Sequence, residues 1–173
     1  MVFRDRGIEI KSREQIEKMR VAGLLVGRTL ELLRSAVRPG VSTLELDRIA
    51  EDSIRSGGGI PSFKGYHGFT GSICASVNDE VVHGIPGERV IEEGDLVSID
   101  CGAIVDGWHG DAAITVPVGE VPADAVELMR VTEEAMWRGL AAARLGGRVT
   151  DISHAVESYV RGLGAYGIVE DYV

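Results

Sequence analysis

The stretch from Gly94 to Val116 constrains the fold most, because two runs rich in Val, Ile and Ala meet there at Asp106-Gly107. An Asp-Gly pair between such runs suits a two-residue type I′ loop, in which both central residues take positive φ and Gly does so most easily. The register then follows by counting. With Val105 opposite Trp108, Gly102 faces Asp111 and Asp100 faces Ala113, so period-two alternation puts both carboxylates on one face of the hairpin. Asp100 and Asp111 become diagonal neighbours with Cβ atoms roughly 7 Å apart, a span across which two carboxylates can hold hard cations. An unpaired carboxylate is costly to bury, so two acids among small apolar residues call for a metal or a basic side chain. The competing expectation is an ordinary polar face turned to water. His109 shares the parity of Asp111 and is either a third ligand or a residue at the rim.

With 173 residues, of which 45% are hydrophobic and 26% charged, the chain is long enough for one domain with its own core. Gly is the outlier: 23 residues is about twice the usual share of roughly 7%, which implies many tight turns. A net charge of −9 with no clustered basic face argues against binding a nucleic-acid backbone. Cys74 and Cys101 are too few and too far apart for a disulfide framework or a thiolate zinc site, which fits a reducing, cytoplasmic setting. Around Arg4, Asp5 and Arg6 there is no apolar segment of the signal-peptide kind, and no later run approaches a membrane span.

Along the chain, Ser12 and Gln15 form a capping box that opens a helix to about Arg34, with Ile16, Met19, Ala22, Val26, Leu30 and Leu33 as its apolar stripe. A second helix opens at Ser42 with Glu45 completing another box; it turns Leu46, Ile49, Ala50 and Ile54 inward and stops at Gly57-Gly58-Gly59. Ile60 to Phe69 is too interrupted for a strand and rich in aromatic rings, and either lines a pocket or tucks onto the core. A strand is expected from Ser72 to Val77, and His83 stands at the end of a short apolar strand, Val81-Val82. Pro122 opens a helix to about Leu145 with Val126, Met129, Met136 and Leu140 on one face. Thr150 caps the next helix, whose inward stripe is Ile152, Ala155, Val156, Tyr159, Val160 and Leu163, with His154 on the wet face. Residues 165–173 begin a strand, and the element order suggests one unit repeated with its second copy cut short.

These residues resemble the type I methionine aminopeptidases of bacteria from about Ser12 to Val173. The most specific segments are Gly65-Tyr66-His67-Gly68-Phe69, Asn78 to Pro86, Gly94 to Asp100, and Asp106-Gly107-Trp108-His109-Gly110-Asp111. The resemblance implies an α+β chain of pita-bread fold, a curved antiparallel sheet with flanking helices and two pseudo-symmetric halves. It also implies an enzyme that removes the initiator Met from nascent polypeptides, where a small residue follows it, at the ribosome in the cytoplasm. The implied cofactor is a pair of divalent cations, Mn, Fe, Co or Zn, which make a hydroxide available near pH 7 and polarise the scissile carbonyl. Asp100 matches the bidentate ligand of one metal, and Asp111 the ligand that bridges both. His83 matches the histidine that contacts the substrate beside the scissile amide. Phe63, Tyr66, Phe69 and Cys74 match positions lining the Met side-chain pocket, where the position of Phe63 is often smaller in the family. His109 matches no primary ligand.

The family's other ligands, one His and two Glu, and a second substrate-binding His, fall beyond Val173. The expectation is therefore a single catalytic domain over residues 1–173 that supplies only its N-terminal part and is inactive alone. Asp100 and Asp111 cannot complete two coordination spheres by themselves. The competing readings are a pita-bread remnant that binds a peptide or protein partner without catalysis, and a prolidase-like relative.

Overall fold

A computed structural model describes residues 9–169, which fall into two compact units, one ending at Val121 and the other starting at Pro122. The hairpin is the centre of the first. β3 (Leu96–Val105) and β4 (Trp108–Pro117) pair antiparallel with Val105 opposite Trp108, Gly102 opposite Asp111 and Asp100 opposite Ala113. Asp106 and Gly107 take φ of 50° and 80°, the double left-handed turn that matches the twist of the strands. On its other edge β3 pairs first with β1 (Ile60–Pro61) and then with β2 (Ile73–Val77), where Cys74 lies opposite Asp100. All four strands therefore take their register from β3.

One face of this sheet is closed by α1 (Arg13–Ala36) and α2 (Thr43–Ser56). Leu25, Val26, Leu30 and Leu33 of α1, Leu46, Ala50 and Ile54 of α2, and Ile73, Val97, Ile99, Cys101 and Ala103 of the sheet form a continuous buried cluster. α1 comes so close to β4 that a Cβ on Gly110 would lie 2.5 Å from the Ala22 carbonyl carbon and 2.6 Å from the Gly23 nitrogen. Both helices start as the sequence predicts. Ser12 and Gln15 make the reciprocal box, while at α2 only the Ser42 hydroxyl takes part, accepting the Glu45 N–H at 3.1 Å.

Several expectations are corrected. Ile16 and Met19 are 45% and 39% exposed, because the buried stripe of α1 begins only at Ala22, where β4 meets it. Ile60-Pro61 does form a strand, since two residues suffice to extend the edge of β3 before Ser62 turns away. Val81-Val82 forms none: neither residue joins a ladder, and the chain is tied to β2 on either side of them, at Glu80 and at Gly84.

In the second unit α3 (Ala123–Ala142) and α4 (Val149–Gly162) pack on each other. The buried positions of α3 are Val131, Ala135 and Gly139, while Val126, Met136 and Leu140 of the predicted stripe are about half exposed. The stripe rotates because Gly139 has no side chain: a Cβ there would lie 2.8 Å from Val156 Cγ2, so α4 seats against this line. α4 starts one residue before Thr150, since the Asp151 carboxylate accepts the Arg148 N–H at 2.8 Å and caps the helix from within its first turn. Its inward stripe is only half-buried and Leu163 is exposed; His154 is on the wet face as expected. Residues 165–169 form no strand, and residues 170–173 of that expected element lie outside the described residues.

Candidate functional site

The face of the sheet turned away from α1 and α2 carries Cys74 and Ser76 of β2, Ser98, Asp100 and Gly102 of β3, and Asp111, Ala113 and Thr115 of β4, by strand alternation from the observed register. Asp100 is half-buried and Asp111 exposed. Burial lifts the Asp100 carboxyl to about 6, and the Asp111 carboxylate adds to the rise both through its charge and through a hydrogen bond between the two groups. The charge of His83 pulls the same group the other way, which puts His83 within electrostatic reach of the pair. The Cys74 thiol beside Asp100 is pushed up to about 11, by burial first and then by Asp100 and Asp111, so it stays a neutral part of the wall.

Gly102 sits between the acids and is bare for a reason. A Cβ there would come within 2.9 Å of both the Phe63 ring and the Ser62 Cβ. The Ser62 N–H donates to the Gly102 carbonyl at 2.9 Å, which ties the aromatic loop to the strand at this point. Phe63 meets Phe69 edge to face with centroids 6.5 Å apart, and the Gly65 N–H closes the loop on the Phe69 carbonyl at 2.8 Å. Phe63, Phe69 and Cys74 thus form an apolar border to the carboxylate pair. Tyr66 does not join them: its ring is 68% exposed and rests edge-on against His67, 4.3 Å between centroids. His109 is exposed at the rim, its Nδ1 3.3 Å from the Ser62 hydroxyl.

Hard oxygen donors held close together against their own repulsion suit a divalent cation, which would remove the strain that lifts Asp100. No group of three or more His, Cys, Asp or Glu is arranged around a common metal position among the described residues. The fit is to part of a coordination sphere, with Asp100 and Asp111 as its donors.

Three supporting residues escape a reading of the sequence. Asp47 of α2, 5% exposed, accepts the N–H groups of Ser72 at 2.6 Å and Ile73 at 3.0 Å and so starts β2. Thr43 Oγ1 both donates to the Gly87 carbonyl at 3.0 Å and accepts the Gly87 N–H at 2.9 Å. Ser76 Oγ accepts the Gly84 N–H at 3.1 Å. The available signal was the spacing of Thr43 and Asp47, which puts both on the same inward line as Leu46, Ala50 and Ile54.

The profile of the family described as Metallopeptidase family M24 matches residues 17–173. The chain belongs to this family. Over 167 residues the M24 chain is 53% identical to the methionine aminopeptidase of Clostridium acetobutylicum, a match that takes in 96% of the chain and 66% of that relative. The crystal structure of methionine aminopeptidase from Rickettsia prowazekii superposes with a TM-score of 0.88 at 38% identity, covering 96% of this chain and 66% of that one. A more distant likeness, to an Xaa-Pro dipeptidase from Bacillus anthracis, has a TM-score of 0.79 at 26% identity over 90% of this chain and 42% of that one. The M24 chain therefore has the pita-bread fold over the part that it spans, slightly under two-thirds of the length of these aminopeptidases. As members of a metallopeptidase family, its residues are expected to meet divalent metal. No helix among the described residues is long and apolar enough to cross a membrane.

Proposed function

We propose that this M24 chain serves the metal-dependent removal of an N-terminal methionine from polypeptides. The observation that carries the reading is the juxtaposition on one sheet face of the Asp100–Asp111 pair with an apolar border of Phe63, Phe69 and Cys74. The 53% identity to a methionine aminopeptidase, against 26% to an Xaa-Pro dipeptidase, favours methionine over proline chemistry.

Asp100 and Asp111 would hold the metal, two divalent cations from among Mn, Fe, Co and Zn once the ligand set is complete. When bound, these cations supply Lewis acidity toward water and the scissile carbonyl. The chain's own residues do the rest. Phe63, Phe69 and Cys74 receive the thioether side chain against their apolar, neutral border, with Tyr66 on the exposed side of the same loop. His83, at the edge of the carboxylate pair, donates a hydrogen bond to the scissile amide and to the oxygen on which charge develops. The substrates are nascent chains with Met followed by a small residue, met in the cytoplasm beside the ribosome.

The test is release of Met from a Met-Ala-Ser peptide with added Mn²⁺ or Co²⁺, by the chain alone, which is expected to be inactive, and by the chain extended to a complete ligand set, with Asp111→Ala alongside. Release that disappears in the variant supports the reading. Release that persists in the variant, or Mn²⁺ binding by calorimetry that does not depend on Asp100 and Asp111, overturns it.

A further inference from the structure

His83 is held in a costly backbone conformation. Its φ is 61°, in the left-handed region that a side chain other than Gly occupies only when its surroundings impose it. Those surroundings lie in the next residue. The Gly84 N–H donates to Ser76 Oγ at 3.1 Å, and the Gly84 carbonyl accepts the Ala75 N–H at 2.9 Å. A Cβ on Gly84 would fall 2.3 Å from the Ala75 carbonyl oxygen, so the backbone here is pressed flat onto β2. Further along, Thr43 grips Gly87 by both its N–H and its carbonyl, which closes the other end of the short loop.

Among these restraints the Ser76 hydroxyl is the side chain nearest to His83 in the chain of bonds. Ser76 is 4% exposed and lies on the same face of β2 as Cys74, two residues from the position opposite Asp100. Its cross-strand neighbour Ser98 is already paired with Thr115, Oγ to Oγ1 at 2.9 Å. Ser76 therefore spends its hydrogen bond on the peptide that follows His83.

We propose that Ser76 is the positioning residue that fixes His83 beside the Asp100–Asp111 pair. The proposal rests on the role given to His83 above. Ser76→Ala removes the acceptor without disturbing the backbone ladder, and Ser76→Thr keeps it.

Three measurements on the full chain decide the matter. By amide hydrogen exchange, Ser76→Ala speeds exchange at Gly84 roughly fivefold or more, the equivalent of one neutral hydrogen bond, while the Ser72 and Ile73 amides held by Asp47 keep their rates. By NMR at fixed pH, without metal, Asp100→Asn shifts the His83 ring signals in the wild-type background and in Ser76→Thr, and not in Ser76→Ala. In the Met-Ala-Ser assay, Ser76→Ala lowers kcat about tenfold with KM unchanged, as expected when a reacting group is misplaced, and Ser76→Thr restores it. Unaltered Gly84 exchange or an intact His83 response in Ser76→Ala overturns the proposal. If the chain by itself releases no Met while the exchange and ring-signal results hold, Ser76 stands as the residue that sets His83, and the functional reading falls only if a chain with the complete ligand set also releases none.

Discussion

Replacing Asp100 by Asn relieves a charge that the metal-free chain holds at a cost. Burial and the neighbouring Asp111 carboxylate lift Asp100 to about 6 from an ordinary 3.8. At 1.36 kcal/mol per pH unit, that rise amounts to about 3 kcal/mol against folding once the group is ionised. Water reaches this half-open face, which brings the cost to about 1–2 kcal/mol. Because the folded-state pKa lies above the unfolded one, the cost is absent below pH 4, grows between pH 4 and 6, and is complete at pH 7. In EDTA, wild type should lose thermal stability over that interval, while Asp100→Asn should lose less and melt roughly 3–6 °C higher at pH 7. Added Mn²⁺ should raise the wild-type midpoint at pH 7 and leave that of the variant unmoved. Scanning calorimetry over pH 4 to 7.5 reads all of this. An Asp100→Asn chain less stable than wild type at pH 7 in EDTA would show that Asp100 is held by favourable contacts and not against repulsion.

Other consequences are as direct. Asp47→Ala strands the Ser72 and Ile73 N–H groups in a buried place and should cost about 2–4 kcal/mol by urea denaturation, with Asp47→Asn, which keeps an oxygen acceptor, losing less. Gly110→Ala drives a methyl into the α1 backbone at Ala22 and Gly23 and should destabilise by about 3 kcal/mol, since backbone cannot step aside as a side chain can. Cys74 and Cys101, raised by burial to about 11 and about 12, should react with Ellman's reagent at pH 8 only as fast as the chain unfolds; rapid labelling of either in the native state would contradict their place in the sheet.

The hairpin was legible because its turn has two residues of known chemistry and strands alternate with period two, so Val105 opposite Trp108 settles where Asp100 and Asp111 fall. The starts of α1 and α2 were legible for a similar reason: Ser12 and Ser42 act on residues three positions away. Asp47, Thr43 and Ser76 were not, since their partners lie 25, 44 and 8 residues off and only the folded chain brings them together. The inward line of α3 was misjudged because hydrophobic spacing counts Val126, Met136 and Leu140, whereas a neighbouring helix seeks the gap left by Gly139. His83 was found by its motif, but its left-handed backbone is a property of a loop laid across β2, which no periodicity announces.

The two-residue turn at Asp106-Gly107 bears on how such a chain can vary. An insertion of one residue there, if β4 kept pairing with β3, would work like a frameshift. Asp111 and Ala113 would pass to the helix side, Gly110 would leave the notch that admits α1, and both the core and the carboxylate pair would fail in one step. Variation in length is therefore excluded at residue 106, even though it lies in an exposed turn on the surface.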